Sequence, residues 1–190
     1  KKAGFRVLIL DLWYFSKEDW CRKYDFKLEN DFWNPSVNPE AEKAFIACRR
    51  KFRSRFADRK EIIGWVTGSK RFFGHNFNIP PVRKTWSAWL RSRFNWNFEK
   101  ARKLLGLADS EYSWEDIQMP TEMGEYFNHN KPRSYGYSLM QHKLVTEATN
   151  RMIRKVRDVT PNHLMFSAVE GCSFSTGHLS WLIHEEIEAD

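Results

Sequence analysis

Apolar residues recur at helical spacing in the first half of the chain. Asn38 is suited to cap a helix, Pro39 fits its first turn, and the acidic residues Glu40 and Glu42 favour its positive N-terminal end. The residues that follow include a stripe at intervals of three or four positions: Phe45, Cys48, Phe52 and Phe56. This stripe forms one face of an amphipathic helix, which we predict over about residues 39–60.

Similar patterns predict four more helices. One begins after the Pro80-Pro81 pair, and a short one runs over residues 98–105 and stops at Gly106, a residue that commonly follows a helix C-terminus. A long helix is predicted over about residues 138–158, and a final one from about residue 179.

The remaining segments predict one strand and several loops. The continuous apolar run over residues 7–10 is typical of a short buried strand. Residues 64–82 are punctuated by glycines, and residues 119–137 are rich in Pro, Gly and Asn, so both read as surface loops or extended arms. The sequence therefore predicts a mainly α protein, a single irregular helical domain over residues 1–190 with extended loops and at most one short N-terminal strand.

Charge divides the chain into distinct regions. The protein carries a formal charge of +7, but residues 43–103 alone hold 17 Lys or Arg and three acidic residues, a formal charge of +14. Residues 107–126 contain six acidic residues and no Lys or Arg. We therefore distinguish a basic helical region over residues 43–103, an acidic loop arm over 107–137 and a helical C-terminal part over 138–190.

The basic region suggests a surface that binds a phosphate polymer. Guanidinium and ammonium groups neutralise phosphates, and exposed aromatic rings stack on unpaired bases. The interleaved aromatic residues also fit a second interpretation, in which they form the core while the charges face water. No sequence signature of specific base recognition is present. The predicted RNA contacts are Arg49, Arg50, Lys51, Arg53, Arg55, Lys70, Arg71, Arg83, Lys84, Arg91 and Arg93.

Catalytic signatures are sparse. Asp11 follows the strand-like run, where some phosphoryl-transfer folds hold a metal ion, but the later acidic residues lack a strand context. His129-Asn130 with His142 and His163 supplies the residues of a nuclease site without its hairpin, and the spacing of the histidines at 178 and 184 does not suit a helical metal pair. We expect no metal, no cofactor and no catalysis.

The cysteines suggest a reducing compartment. They are three in number, widely spaced, and form no Cys-x-x-Cys pair, so neither a disulfide framework nor a zinc site is expected: Cys21, Cys48 and Cys172. No apolar run approaches the roughly 18–20 residues that span a bilayer. The start at Lys1 and the positive charge would fit a removed import signal, so we expect the mitochondrial matrix, or otherwise the cytoplasm.

These features together favour a non-catalytic subunit of a large assembly. Aromatic residues make up 16% of the chain, and aromatic and Arg residues are enriched where proteins bury surface against partners. The leading hypothesis is a mitochondrial ribosome or another ribonucleoprotein, with RNA and neighbouring proteins as partners. One alternative is an accessory subunit of a respiratory-chain or ATP-synthase complex that meets an anionic membrane surface. Another is a metal-dependent phosphodiesterase or nuclease.

Overall fold

Four helices and a three-stranded parallel sheet make up the fold in the part of the chain that the structure describes. The computed structural model describes residues 4–12, 38–68, 80–120 and 131–168. The elements in chain order are β1 (Val7–Leu12), α1 (Pro39–Ser54), β2 (Ile62–Gly68), α2 (Pro80–Arg93), α3 (Phe98–Leu105), α4 (Pro132–Arg157) and β3 (Leu164–Ala168). The protein is therefore mainly helical with a small sheet.

The sheet is larger than the single strand that the sequence predicts. Its order is β1-β2-β3 and both pairings are parallel, with α1 between β1 and β2 and the other three helices between β2 and β3. The prediction of a strand at β1 is confirmed, whereas the prediction of a loop from residue 64 is wrong for β2. Gly64 lies inside that strand, and a Cβ there would approach the carbonyl oxygen of Leu164 to 2.7 Å. This glycine serves close strand packing instead of a turn.

The predicted helix caps are confirmed at two helices. The side-chain oxygen of Asn38 accepts hydrogen bonds from the backbone N–H groups of Glu40 (3.1 Å) and Ala41 (3.2 Å), so α1 begins where the sequence predicts. Helix α3 has the predicted bounds and ends at Gly106, whose φ of 60° is the left-handed conformation that glycine adopts readily. Helix α1 ends at Ser54, since tight turns replace the helix beyond it.

Helix α4 begins six residues before the predicted start. Pro132 and Gly136, which suggest a loop in the sequence, lie within its first turns. Proline is well tolerated at the first helical position because that residue has no intrahelical N–H partner to lose. A Cβ at Gly136 would lie 3.6 Å from the rings of Trp86 and Trp89, so the helix packs closely against α2 at this point. The final helix predicted from residue 179 lies outside the described residues.

Two apolar cores flank α4. One joins α2, α3 and α4 with the segment after α3, and its buried members include Trp86, Leu90 and Tyr137. The other joins the sheet to α1 and α4, with Trp65 and Met165 fully buried at its centre. Helix α4 contributes to both cores and so connects the helical part to the sheet. In the described ranges, no helix combines the length and hydropathy that crossing a bilayer requires.

The acidic segment after α3 is packed against α4. Glu111, which lies in the predicted acidic arm, is 3% exposed. Its carboxylate accepts hydrogen bonds from the backbone N–H groups of Ala108 (2.7 Å) and Gln118 (2.8 Å) and pairs with the guanidinium of Arg133 at 3.0 Å. These contacts close the segment over the first core, so residues 107–120 are part of the folded body.

The two faces of the sheet differ in how much they are covered. Trp65 and Met165 belong to the face that packs on α1 and α4. On the other face, side chains two positions apart along each strand remain accessible: Leu8 is 47% exposed, Leu10 56% and Leu164 47%. Parallel sheets usually have both faces covered, so the exposure of this apolar face is unusual for such a sheet.

Substitutions at neighbouring positions of β3 test this difference between the faces. Met165→Ala should lower the free energy of unfolding by about 2–5 kcal/mol, because it leaves a cavity in the covered core. Leu164→Ala should cost less than about 1 kcal/mol, because its side chain is already half in water. Urea denaturation of both variants measures the two values. Equal losses would contradict the assignment of one covered and one open face.

Candidate binding site at the carboxyl edge of the sheet

The carboxyl ends of all three strands meet at one edge of the sheet. The final residue pairs there are Leu12 with Gly68, and Gly68 with Ala168. In parallel α/β sheets, ligands bind outside the carboxyl ends of the strands, because the connections that leave those ends surround a common crevice. This edge is therefore the candidate site, and we call it the carboxyl edge.

A buried arginine of α1 contacts the strands next to the carboxyl edge. Arg53 of α1 is fully buried, and its Nη2 donates to the hydroxyl oxygen of Thr67 at 2.6 Å, one residue before the end of β2. Its Nη1 lies 3.1 Å from the sulfur of Met165, and its guanidinium stacks over the Trp65 ring at 4.8 Å. A buried cation persists only where hydrogen bonds and charges compensate its lost hydration. These contacts hold the ends of β2 and β3 in fixed positions.

A row of polar residues crosses the sheet one position before its edge. Thr67 is in register with Asp11 of β1 on one side and with Ser167 of β3 on the other. Asp11 thus occupies the strand-end position that the sequence suggests for a metal-binding carboxylate. In the described residues, no group of three or more His, Cys, Asp or Glu residues is placed to hold a metal ion.

A tryptophan–histidine pair fixes the middle of the sheet. The Trp65 indole Nε1 donates to Nδ1 of His163 at 3.0 Å, and both side chains are buried. Nδ1 accepts only in the imidazole form that carries no proton there, so the hydrogen bond selects one tautomer of a neutral ring. Of the histidines considered for a nuclease site, His163 therefore has a structural partner and His129 lies outside the described residues. The two histidines weighed as a metal pair, His178 and His184, also lie outside them.

Two of the predicted RNA-binding arginines lie in the interior. Arg49 is 2% exposed and Arg53 is fully buried, and the guanidinium of Arg49 stacks over the Phe45 ring at 5.2 Å. Both residues are on the face of α1 that packs on the sheet, so a polymer on the surface would not reach them. The buried face of α1 carries Phe45 together with Arg49 and Arg53, whereas Phe52 of the predicted apolar stripe is 40% exposed. The spacing of apolar residues does not indicate this face, since Arg is mostly exposed in proteins.

Two more of the predicted contacts form ion pairs. Arg50 donates to both carboxylate oxygens of Asp158, with its Nη2 3.0 Å from Oδ2, and also to the backbone oxygen of Lys155. The hydrogen bonds from Arg50 hold the pKa of Asp158 below its usual value. Arg91 pairs with Glu115. These contacts join α1 to the end of α4, and α2 to the segment after α3.

The other predicted contacts do not gather into one site. Lys70 and Arg71 lie outside the described residues, as do Cys21 and Cys172, while Cys48 is a free thiol of intermediate exposure. Five predicted contacts are exposed, spread over the end of α1, both ends of α2 and the turn after α1: Lys51, Arg55, Arg83, Lys84 and Arg93.

Comparisons with known proteins give structural likeness alone. The sequence matches no protein-family model and no curated protein. The cold-adapted β-galactosidase from Rahnella sp. R3 superposes with a TM-score of 0.57 and 16% identity, over 70% of this chain and 19% of that one. The β-galactosidase from Bacillus circulans sp. alkalophilus superposes with a TM-score of 0.60 and 18% identity, over 80% of this chain and 23% of that one. The β-galactosidase from the psychrophilic Marinomonas ef1 superposes with a TM-score of 0.52 and 10% identity, over 70% of this chain and 21% of that one.

These matches have a common form. In each, most of this chain superposes on about a fifth of a much longer chain. At identities of 10–18% the likeness concerns the fold alone. The chain therefore shares the fold of one part of these three β-galactosidases.

Proposed function

We propose that this chain is one arc of a larger α/β barrel and that the carboxyl edge contributes to a binding site for β-galactosides. The observation that carries the proposal is the parallel β1-β2-β3 sheet in unbroken chain order. The fold likeness to one part of three β-galactosidases supports it. Unbroken order with helical connections is the pattern of barrels, whereas doubly wound sheets reverse their order at a switch point.

The open face of the sheet supports the barrel interpretation. In a barrel, one face of the sheet packs on the surrounding helices while the other turns inward and is filled by bulky apolar side chains. Trp65 and Met165 belong to the helix-covered face, and Leu8, Leu10 and Leu164 belong to the open one. Further strands of the same barrel would cover these leucines.

The carboxyl edge also has the rigidity that a sugar site needs. Sugars are recognised by hydrogen bonds to hydroxyl groups at defined angles, so the groups around them must be held still. The Arg53–Thr67 hydrogen bond and the Trp65–His163 hydrogen bond fix two neighbouring strands beneath this edge.

Binding of methyl β-D-galactopyranoside to the purified chain tests the proposal. Saturation-transfer NMR should detect the β-galactoside, and calorimetry should give a dissociation constant in roughly the millimolar range that is usual for a single small sugar. Methyl α-D-glucopyranoside is the control sugar and should bind at least about tenfold more weakly than the β-galactoside. Absence of any β-galactoside signal, or equal binding of both sugars, would refute the proposal.

A pair of threonine variants locates the site. Thr67→Val removes the hydroxyl that accepts from Arg53 at the carboxyl edge, and should weaken galactoside binding by about threefold to tenfold because the end of β2 is no longer fixed. Thr160→Val makes the same change beyond the opposite edge, at a buried hydroxyl without a hydrogen bond, and should leave binding unchanged. Equal effects would place the sugar elsewhere.

We propose as a second possibility that the chain is a subunit of an assembly and contacts RNA. It is favoured by the exposure of five cations of the basic region, of which Arg83 and Lys84 are neighbours on α2. Each phosphate contact releases counterions, so RNA affinity should fall steeply as salt is raised. Replacing Arg83 and Lys84 by Gln should reduce that salt slope, and an unchanged slope would rule out α2 as the RNA contact.

A further inference from the structure

A tryptophan between α2 and α3 is exposed to an unusual degree. Trp96 is 69% exposed, whereas Trp65 and Trp86 are at most 1% exposed. Its indole is a large apolar surface that folding would ordinarily bury. Its exposure therefore needs a reason other than stability.

The backbone that carries Trp96 is strained. Asn95 has a φ of 50° and Trp96 a φ of 61°, so two consecutive residues without glycine adopt the left-handed conformation. Asn enters this region readily, but a bulky side chain does so at a cost. The backbone N–H of Trp96 donates to the oxygen of Arg91 at 2.8 Å, which holds the turn closed. This bond and the left-handed Asn95 are a usual way for a helix such as α2 to end. The left-handed conformation of Trp96 is the costly one, and such conformations cluster at binding and catalytic sites.

The neighbouring contacts hold the indole in one orientation. The Arg91 guanidinium lies over one face of the Trp96 ring, 5.3 Å from its centre, and the same guanidinium is paired with Glu115. One face is thus covered by an ion pair, and the exposed area belongs to the opposite face and the ring edges. The turn presents a flat ring whose orientation is already fixed before a ligand arrives.

A second exposed ring lies on the segment that packs beside this turn. Tyr112 is 76% exposed. Trp114, two residues later, packs against Phe94 at 6.4 Å and Phe98 at 5.2 Å, the residues on either side of Trp96. The carboxylate of Asp116 accepts from the backbone N–H of Tyr112 at 3.3 Å, which fixes the start of this segment.

The charge around the two rings is balanced. Residues 91–116 contain five cationic and five anionic side chains, although residues 43–103 as a whole are strongly basic. A polyanion gains little from a surface without net charge. Asn95 and Asn97 flank Trp96 and are exposed. The Asn97 side-chain oxygen accepts from the backbone N–H of Lys100 at 2.9 Å and so caps α3, while its NH2 group and the amide of Asn95 can bond to hydroxyl groups.

We infer that Trp96 is the platform of a binding site for a neutral oligosaccharide. The apolar face of a pyranose ring presents C–H bonds, which are attracted to the negative face of an aromatic ring. The indole supplies this face, and the flanking amides supply polar partners for the ring hydroxyls. The site lies on the α2–α3 part of the fold, so it is separate from the carboxyl edge and does not depend on the proposed barrel function.

Titration of the purified chain with cellotetraose and with β-1,4-galactotetraose tests this inference. At least one of the two should shift the Trp96 indole N–H resonance in ¹H–¹⁵N spectra. Trp96→Ala should weaken its binding at least tenfold, while Trp96→Phe should retain it within about threefold because a flat ring remains. Leu104→Ala, which truncates another exposed apolar side chain at a 52% exposed residue of α3, should leave binding unchanged.

A stability measurement separates a binding role from a structural one. Trp96→Gly relieves the left-handed strain, so its urea midpoint should be no lower than that of Trp96→Ala while sugar binding is lost. Binding of neither tetrasaccharide, or equal binding by Trp96→Ala and the wild type, would overturn the inference. So would a uridine decamer that shifts the Trp96 resonance when the sugars do not, since the ligand would then be RNA. Thr67→Val should not change binding at this site, whereas it weakens binding at the carboxyl edge.

Discussion

Glu111→Gln is expected to lower the free energy of unfolding by about 3–5 kcal/mol, the usual cost of removing one partner from a buried ion pair. The Arg133 guanidinium would lose its counter-charge in a place where water cannot replace it fully, since its side chain is only 19% exposed. The NH2 group of the new amide would replace one carboxylate oxygen and so face one of the two backbone N–H groups that now donate to the carboxylate, that of Ala108 or that of Gln118.

Chemical denaturation of Glu111→Gln beside a matched variant measures this effect. Glu147→Gln makes the same change in an exposed pair with Lys143 on α4, at an N–O distance of 3.8 Å, and should cost less than about 0.5 kcal/mol. Adding Arg133→Met to Glu111→Gln should recover part of the loss, because the unpaired buried cation is removed. Similar losses for the Glu111 and Glu147 variants would show that the pair does not hold the segment after α3.

Trp65→Ala should be at least as destabilising as Glu111→Gln, lowering the free energy of unfolding by about 3–5 kcal/mol. Trp65 is fully buried, and its ring contacts Phe52 at 5.9 Å and Phe56 at 6.3 Å as well as the guanidinium of Arg53. Removal leaves a cavity at the junction of β2 and α1 and leaves the His163 nitrogen without its donor.

The same substitution at Trp96 is the control. Trp96→Ala removes an equal side chain at a 69% exposed position and should change the free energy of unfolding by no more than about 0.5 kcal/mol. Trp65→Phe should fall between the two, because the ring volume is largely kept while the hydrogen bond to His163 is lost. Comparable destabilisation by the Trp65 and Trp96 alanine variants would contradict the packing described for the sheet.

Almost nothing of the candidate site could be predicted from the sequence. Arg53 is one of many basic residues in residues 43–103, and nothing in its spacing separates it from exposed neighbours such as Lys51. Residues 62–67 are rich in β-branched and aromatic side chains, which is typical of a strand, but Gly64 and Gly68 are equally typical of a turn. Periodicity identifies which residues turn inward within an element, and it says little about which elements pair.

The sequence by itself determined the local elements: the Asn38 cap of α1, the whole of α3 up to Gly106, and the strand at β1. These depend on neighbouring residues, whose propensities and hydrogen bonds act over a few positions. Only the tertiary structure decided that three strands pair in parallel, that Arg49 and Arg53 are buried and that Trp96 is not. Those outcomes depend on contacts between residues that are distant in the chain, and local sequence patterns do not determine such contacts.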